Sequence, residues 1–251
     1  MPLGIYAWRM KVARRDPSAF AKRFLPELTV DVVLLSVGDD GRLCTLLSRR
    51  NEAPYKGAWA LPGVFVGRTE TLESAAARAL RDKAGIANVF LEQLFTFGDL
   101  QRDPRGRVLS VAYYALVPKA RFFAATAEIA DAAIALLTIP SGDERSGAIH
   151  ADSAEGRRMK LAFDHDRIIG MAVQRIRGKL NYAPIGFELL PDRFTLLDIQ
   201  HIHEAVLGRT LNKDSFRRKM LASNLIEDTK QRQIGSAFRP ATLYRFKKQE
   251  N

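Results

Sequence analysis

The stretch LPGVFVGRTETLESAAARALRDKAGI, residues 61–86, constrains the first half of the chain more than any other. Leu72, Ala76 and Leu80 recur at spacings of four, which predicts a helix over Leu72–Ala84 with one apolar stripe. Gly85 follows as its left-handed stop. Such a helix needs an apolar surface to cover, and its neighbours supply one. LTVDVVLLSV (28–37) is a nearly continuous β-branched and aliphatic run, the pattern of a largely buried strand. GDDGR turns the chain into LCTLLSRR (43–50), giving a hairpin. VFLEQLFTFGDL (89–100) and RVLSVAYYALV (107–117), joined by RDPRG, predict two more strands. Strands around a packed helix make a mixed α/β domain.

Charge divides the chain. The net charge is +11, with 20 Lys and Arg against 18 Asp and Glu in residues 1–155, and 19 against 10 in residues 156–251. A surplus of that size favours a polyanionic partner, nucleic acid or an anionic membrane surface. The segment IPSGDERSGAIHADSAEG (139–156) is rich in Ser, Gly and acids and reads as a linker or exposed loop. The expected organisation is an N-terminal arm over 1–27, a near-neutral domain over 28–155 and a basic domain over 156–251. The arm is basic and lacks a secretion-signal core, so it reads as a surface arm or a packed helix. The best apolar run, Phe122–Ile139, is broken by Glu128 and Asp131, so no membrane span is expected. Cys44 is the single cysteine, which rules out an intrachain disulfide and fits a reducing, cytoplasmic setting.

The basic half has a helical beginning and a hairpin end. In DHDRIIGMAVQRIRGKL (164–180), Ile169, Val173, Ile176 and Leu180 fall at helical spacing. In FTLLDIQHIHEAVLG, Thr195 caps a helix with Asp198 three residues on, and Gly208 ends it. Leu196, Ile199, Ile202 and Val206 are its buried face. Asn212 caps a second helix, NKDSFRRKMLASN, with Phe216 and Met220 inward and Lys213, Arg217 and Arg218 on other faces. LIEDTKQ and ATLYRFKK are strands around a long basic loop, RQIGSAFRP, and this wing carries Lys230, Arg232 and Arg239. Helix, short turn, basic helix and basic hairpin is the order of a winged helix-turn-helix. Lone charge runs usually mark only a solvated face, but these six cations share the two elements that would meet DNA. His201 and His203 lack a partner pattern and read as surface or partly packed residues, not metal ligands.

Residues 64–86 resemble a degenerate Nudix box, whose family pattern is G-x5-E-x7-R-E-U-x-E-E-x-G-U. Glu70, Arg78, Leu80, Gly85 and Ile86 match it, and Asp82 keeps an acid. Val64 replaces the first glycine, Ala79 the glutamate after the arginine, and Lys83 the last glutamate. The upstream RRNEAPYKGAWALPG resembles Nudix proteins related to ADP-ribose hydrolases. Those enzymes hold magnesium or manganese through helix carboxylates, which this helix has largely exchanged for a methyl group and an ammonium. Lys83 either places a fixed positive charge near the vacated metal position or is a solvated helix residue.

Together with FDHDRIIGMAVQRIRGKLNY, FELLPDRFTLLDIQHIHEAVLG and RPATLYRF, the chain resembles the NrtR family of Nudix-related transcriptional regulators over about residues 28–246. The resemblance implies a bacterial homodimer that represses genes of NAD metabolism. It implies an inactive α/β Nudix-like domain sensing ADP-ribose or a related nucleotide, then a mostly α winged helix-turn-helix on operator DNA. By resemblance Arg49, Arg50, Trp59, Glu70, Arg78 and Lys83 are the ligand-site candidates, with no cofactor and no catalytic or metal-binding residue. Two alternatives stand beside it: an active hydrolase of ADP-ribose-like nucleoside diphosphates, and a DNA-binding protein whose Nudix-like domain serves only dimerisation.

Overall fold

The computed structural model describes residues 25–138, 148–180, 183–233 and 240–247. The arm through residue 24 and Arg239 lie outside the described residues. In the first half, β1 (Glu27–Val37), β2 (Leu43–Arg49), β3 (Trp59–Ala60) and β4 (Gly63–Phe65) precede α1 (Leu72–Ala84). Then follow β5 (Leu91–Phe97), β6 (Val108–Leu116), α2 (Lys119–Ala127), β7 (Ala132–Thr138) and β8 (His150–Asp152). They build one mixed sheet in the order β5-β6-β1-β2-β7-β8, with β3 on β2 and β4 on β1. The β1–β6 pair is parallel, in register from Glu27 opposite Val108 to Leu35 opposite Leu116. The expected helix and its stop are realised, with Gly85 left-handed at φ 61°, and the structure adds an N-cap, Thr71, which accepts from the Ser74 N–H.

β1 is buried on both faces, so two layers must cover the sheet. On one face Val30, Val32 and Leu34 pack with Ala75, Ala76, Ala79 and Leu80 of α1 and Phe122 of α2. On the other, Val33, Leu35 and Val37 pack with Ile168, Ile169, Ala172, Val173 and Ile176. Those residues belong to α3 (His165–Lys179), which the sequence reading placed in the second domain. The division at residue 156 therefore needs correction, and so does the part of the 139–156 linker from residue 148 on; residues 139–147 lie outside the described residues. Residues 150–152 are an edge strand against β7, Asp152 bridges Arg158, and the Trp59 N–H donates to the Lys160 carbonyl at 2.9 Å. Ser, Gly and acid content signals exposed turns, but it carries no information about a chain that turns and rejoins the sheet.

After α3 come a short 3-10 turn (Ile185–Leu189), α4 (Leu196–Leu207), α5 (Lys213–Ala222) and the hairpin β9 (Ile226–Arg232) and β10 (Thr242–Phe246). The expected capping box on α4 is present: Thr195 accepts from the Asp198 N–H while Asp198 accepts from the Thr195 N–H. Phe194 bridges Tyr244 as a third strand position. Phe187 stacks on Phe246 with centroids 4.6 Å apart. The core from Val33 through α3 to Phe216, Met220 and Ile226 is continuous. Among the described residues no helix is long and apolar enough to cross a membrane.

Candidate ligand cleft and nucleic-acid interface

β2 ends at Arg49, and the loop beyond it folds back on itself. The Arg50 N–H donates to the Ala58 carbonyl at 2.9 Å, and the Gly57 N–H donates to the Arg50 carbonyl at 2.8 Å. This holds the double arginine beside β3, which pairs with the end of β2. A side chain at Gly63 would collide with the Asp31 carboxylate, so the glycine lets β4 lie close against β1. A cavity of about 340 Å3 opens there, lined by residues 48–52, 60–63 and Lys83. Arg49, Arg50 and Lys83 are its cations, and Glu52 its acid. Burial, and then the neighbouring Arg105 charge, lower the Arg50 pKa. Asp103, Glu52 and Asp31 offset this in part, and an anion entering the cavity would add countercharge beside Arg50.

Trp59, Glu70 and Arg78 are not among the residues lining this cavity. Trp59 is half-buried in β3, paired with Arg49 on one side and bridged to Leu161 on the other. Arg78 and Glu70 hold each other through two bonds of 2.8 Å, from Nε and from Nη2. Arg78 also donates to the Phe65 carbonyl, and Glu70 accepts from the Gly67 N–H. The Arg78 guanidinium, then the Gly67 N–H, hold the Glu70 carboxyl down at about 2. The pair thus ties the loop after β4 to α1, a role that residue type and spacing did not distinguish from ligand contact.

A divalent ion of the Nudix kind does not fit the residues present. Ala79 is fully buried in the α1–sheet core, and Lys83, exposed at the rim of the cavity, is a cation where the Nudix pattern has a carboxylate. Glu70 is engaged by Arg78, and Asp82 accepts from Arg81 at 3.3 Å. Among the described residues no group of three or more His, Cys, Asp or Glu is placed to hold a metal ion.

The sequence reading missed a buried polar cluster behind the cavity. Arg102 reaches Asp164 from Nε at 3.1 Å and from Nη2 at 2.8 Å, and lies 3.6 Å from Asp31. Ser110 Oγ donates to Asp31 at 2.5 Å. The Leu61 N–H donates to His165 Nδ1 at 2.9 Å, and His165 Nε2 lies 3.7 Å from Asp31. All five side chains are buried. Asp31, an acid inside an apolar strand, was the available signal.

The second candidate surface is on α5 and β9. Phe216 and Met220 anchor α5 inward, while Lys213, Arg217 and Arg218 are exposed. Asn212 caps this helix by accepting from the Ser215 N–H at 3.0 Å. Lys230 and Arg232 are exposed on β9, and Lys230 adopts a left-handed φ of 61°. His203 packs edge-on to Phe216 with centroids 5.0 Å apart. Desolvation, then the Lys219 charge, lower its pKa to about 4, the behaviour of a partly packed imidazole.

Two family models match the chain, one after the other. The NUDIX domain matches residues 26–149, and the NrtR DNA-binding winged helix domain matches residues 186–246. The ADPR responsive transcriptional repressor NtrR of Acinetobacter baylyi is 37% identical over 227 residues, covering 90% of this chain and 84% of the relative. Shewanella oneidensis NrtR, crystallised with a 27mer DNA, is 34% identical with a TM-score of 0.69, over 88% of this chain and 93% of that one. A Methanocaldococcus jannaschii ADP-ribose pyrophosphatase is 28% identical over 63% of this chain and 79% of its own length. With a Nudix fold, a winged helix and these relatives along most of its length, the chain belongs to the NrtR family of Nudix-related transcriptional regulators.

Proposed function

We propose that this protein is a bacterial transcriptional repressor that works as a homodimer in the cytoplasm, where its operator is, and that ADP-ribose or a related adenine nucleotide releases it. The observation that carries the reading is the gathering of Arg49, Arg50 and Lys83 around one cavity, with the metal carboxylates replaced, on the same chain as an exposed basic α5. Three cations suit a diphosphate. A sensor without the metal keeps its signal intact, because hydrolysis would erase it. Support for the ligand comes from the Acinetobacter relative, an ADPR responsive repressor. NAD metabolism is the regulated chemistry that follows from such an effector.

Lys213, Arg217 and Arg218 are the proposed contacts of the recognition helix, and Lys230, Arg232 and Arg239 those of the wing. Effector action requires different ligand affinity in the DNA-competent and incompetent dimers, since tight binding alone shifts nothing. Titrating ADP-ribose, NAD and ATP against the protein–operator complex at fixed salt tests this. ADP-ribose should weaken operator binding roughly 5–150-fold, the usual range of such coupling. If no nucleotide binds the free protein by calorimetry, the domain is a dimerisation scaffold. The pyrophosphatase relative keeps a hydrolase reading in view. Phosphate release with magnesium or manganese should stay at background, and robust turnover would make the protein a hydrolase.

A further inference from the structure

Phe163, Asp164 and His165 immediately precede or begin α3, and each grips a different part of the cleft's frame. The Arg50 guanidinium lies 4.8 Å from the centroid of the Phe163 ring. Asp164 holds Arg102, from the loop between β5 and β6, in a two-bond ion pair. His165 Nδ1 takes the Leu61 N–H. Arg50 and Leu61 both line the cavity. None of these three residues lies within either matched domain, 26–149 or 186–246.

Phe163 also sits at φ 53°, a left-handed conformation unfavourable for a bulky side chain. Tyr55, at φ 62°, packs edge-on to the same ring at 4.9 Å. Beyond this joint, α3 is seated in the core. Its apolar face packs on the sheet and continues into the core of α4 and α5. Near its far end Arg177 donates to the Val206 and Leu207 carbonyls, at 2.6 and 3.1 Å, where α4 finishes. A helix tied at one end to the cleft and at the other to the helix-turn-helix can carry a displacement between them.

We propose that Phe163–Asp164–His165 is the joint through which α3 reads the cleft, with Arg50 as its moving part. A diphosphate draws the Arg50 guanidinium off the Phe163 ring, because a charge-assisted hydrogen bond outweighs a partly exposed cation–π contact. The first turn of α3 is thereby loosened from the cleft, and the basic domain changes its angle. Phe163 and His165 are positioning residues in this scheme. The inference rests on the ADP-ribose sensor reading and specifies its internal route.

The test uses the full chain, an operator fragment and ADP-ribose. For wild type, Phe163→Leu, Phe163→Tyr and His165→Asn, operator affinity is measured with and without saturating ADP-ribose, and ADP-ribose affinity by calorimetry. Phe163→Leu should bind ADP-ribose roughly two- to fivefold tighter, since Arg50 no longer leaves a ring. Its operator affinity without ligand should fall toward that of ligand-bound wild type, and the further weakening by ADP-ribose should shrink below about threefold, outside the ordinary coupling range. Phe163→Tyr keeps the ring and His165→Asn keeps an acceptor at the δ position, so both should respond as wild type. A merely structural Phe163 would loosen ligand binding on truncation. Full coupling in Phe163→Leu beside a responsive wild type overturns the joint and leaves the sensor reading intact. A wild type that does not respond overturns both. In unmodified protein, ADP-ribose should lower amide hydrogen-exchange protection in the first turn of α3, and unchanged protection also overturns the proposal.

Discussion

Lys83 illustrates how one side chain acquires meaning from its neighbours. On the helix alone it is a cation at a position where the family keeps a glutamate; in the fold it shares a cavity with Arg49 and Arg50. Lys83→Glu should therefore weaken ADP-ribose binding about tenfold or more, because it removes a charge-assisted contact and adds repulsion. Calorimetry checks this, and unchanged affinity would return Lys83 to the solvated face of α1. His203 gives a pH prediction. Its pKa is lowered to about 4 by burial, against 6.5 when free. The unfolded chain then takes up a proton that the folded chain refuses. The His203 contribution is fully present above about pH 6.5 and is lost as pH falls toward 4. Burial lowers the His165 pKa in the same direction, so His203→Leu should flatten only part of the decline. Urea midpoints from pH 7 to 4 measure it.

At the scale of elements, α5 shows the division of labour within a short amphipathic helix. Phe216 and Met220 fix its rotation against the core, which leaves Lys213, Arg217 and Arg218 exposed. Replacing both Arg217 and Arg218 by Ala should lower operator affinity without lowering Tm. An arginine that reads a base should lose about 1–3 kcal/mol, selectively on the cognate site. One that contacts phosphate should weaken all DNA alike and reduce the salt slope by roughly one. Intact operator affinity in the double variant would show that α5 is not the recognition helix. The α1 helix makes the complementary point. Its cap, stripe and stop follow from local residues, whereas the Glu70–Arg78 pairing depends on a loop folding back from β4.

For the whole molecule, the continuous core predicts where the chain can be cut. A fragment ending at residue 155 leaves Val33, Leu35 and Val37 without α3 and exposes one face of the sheet. It should aggregate or lack a cooperative thermal transition. Extending it to residue 180 restores that cover and should give a soluble, cooperatively melting Nudix-like unit. Equal behaviour of the two fragments would show that α3 is dispensable to the sheet. A dimer bearing one α5 per protomer should also protect two half-sites about one helical turn apart, or a multiple of it, by footprinting.

The sequence by itself determined the elements with local causes. Apolar runs set the strands, four-residue spacing set the helices, and Thr195, Asp198, Gly85, Gly208 and Asn212 set their ends. The basic winged helix and the loss of carboxylates at Ala79 and Lys83 were legible for the same reason: each is a property of residue type at a short spacing. Tertiary structure alone decided which expected ligand residues meet. Arg49, Arg50 and Lys83 converge from a strand end and a helix, while Glu70 and Arg78 satisfy each other. It alone assigned α3 to the sheet, and it alone assembled Asp31, Arg102, Ser110, Asp164 and His165. Partners separated by as many as 104 positions leave no periodic trace. Buried charges must find countercharges, and which ones they find is settled only when the chain packs.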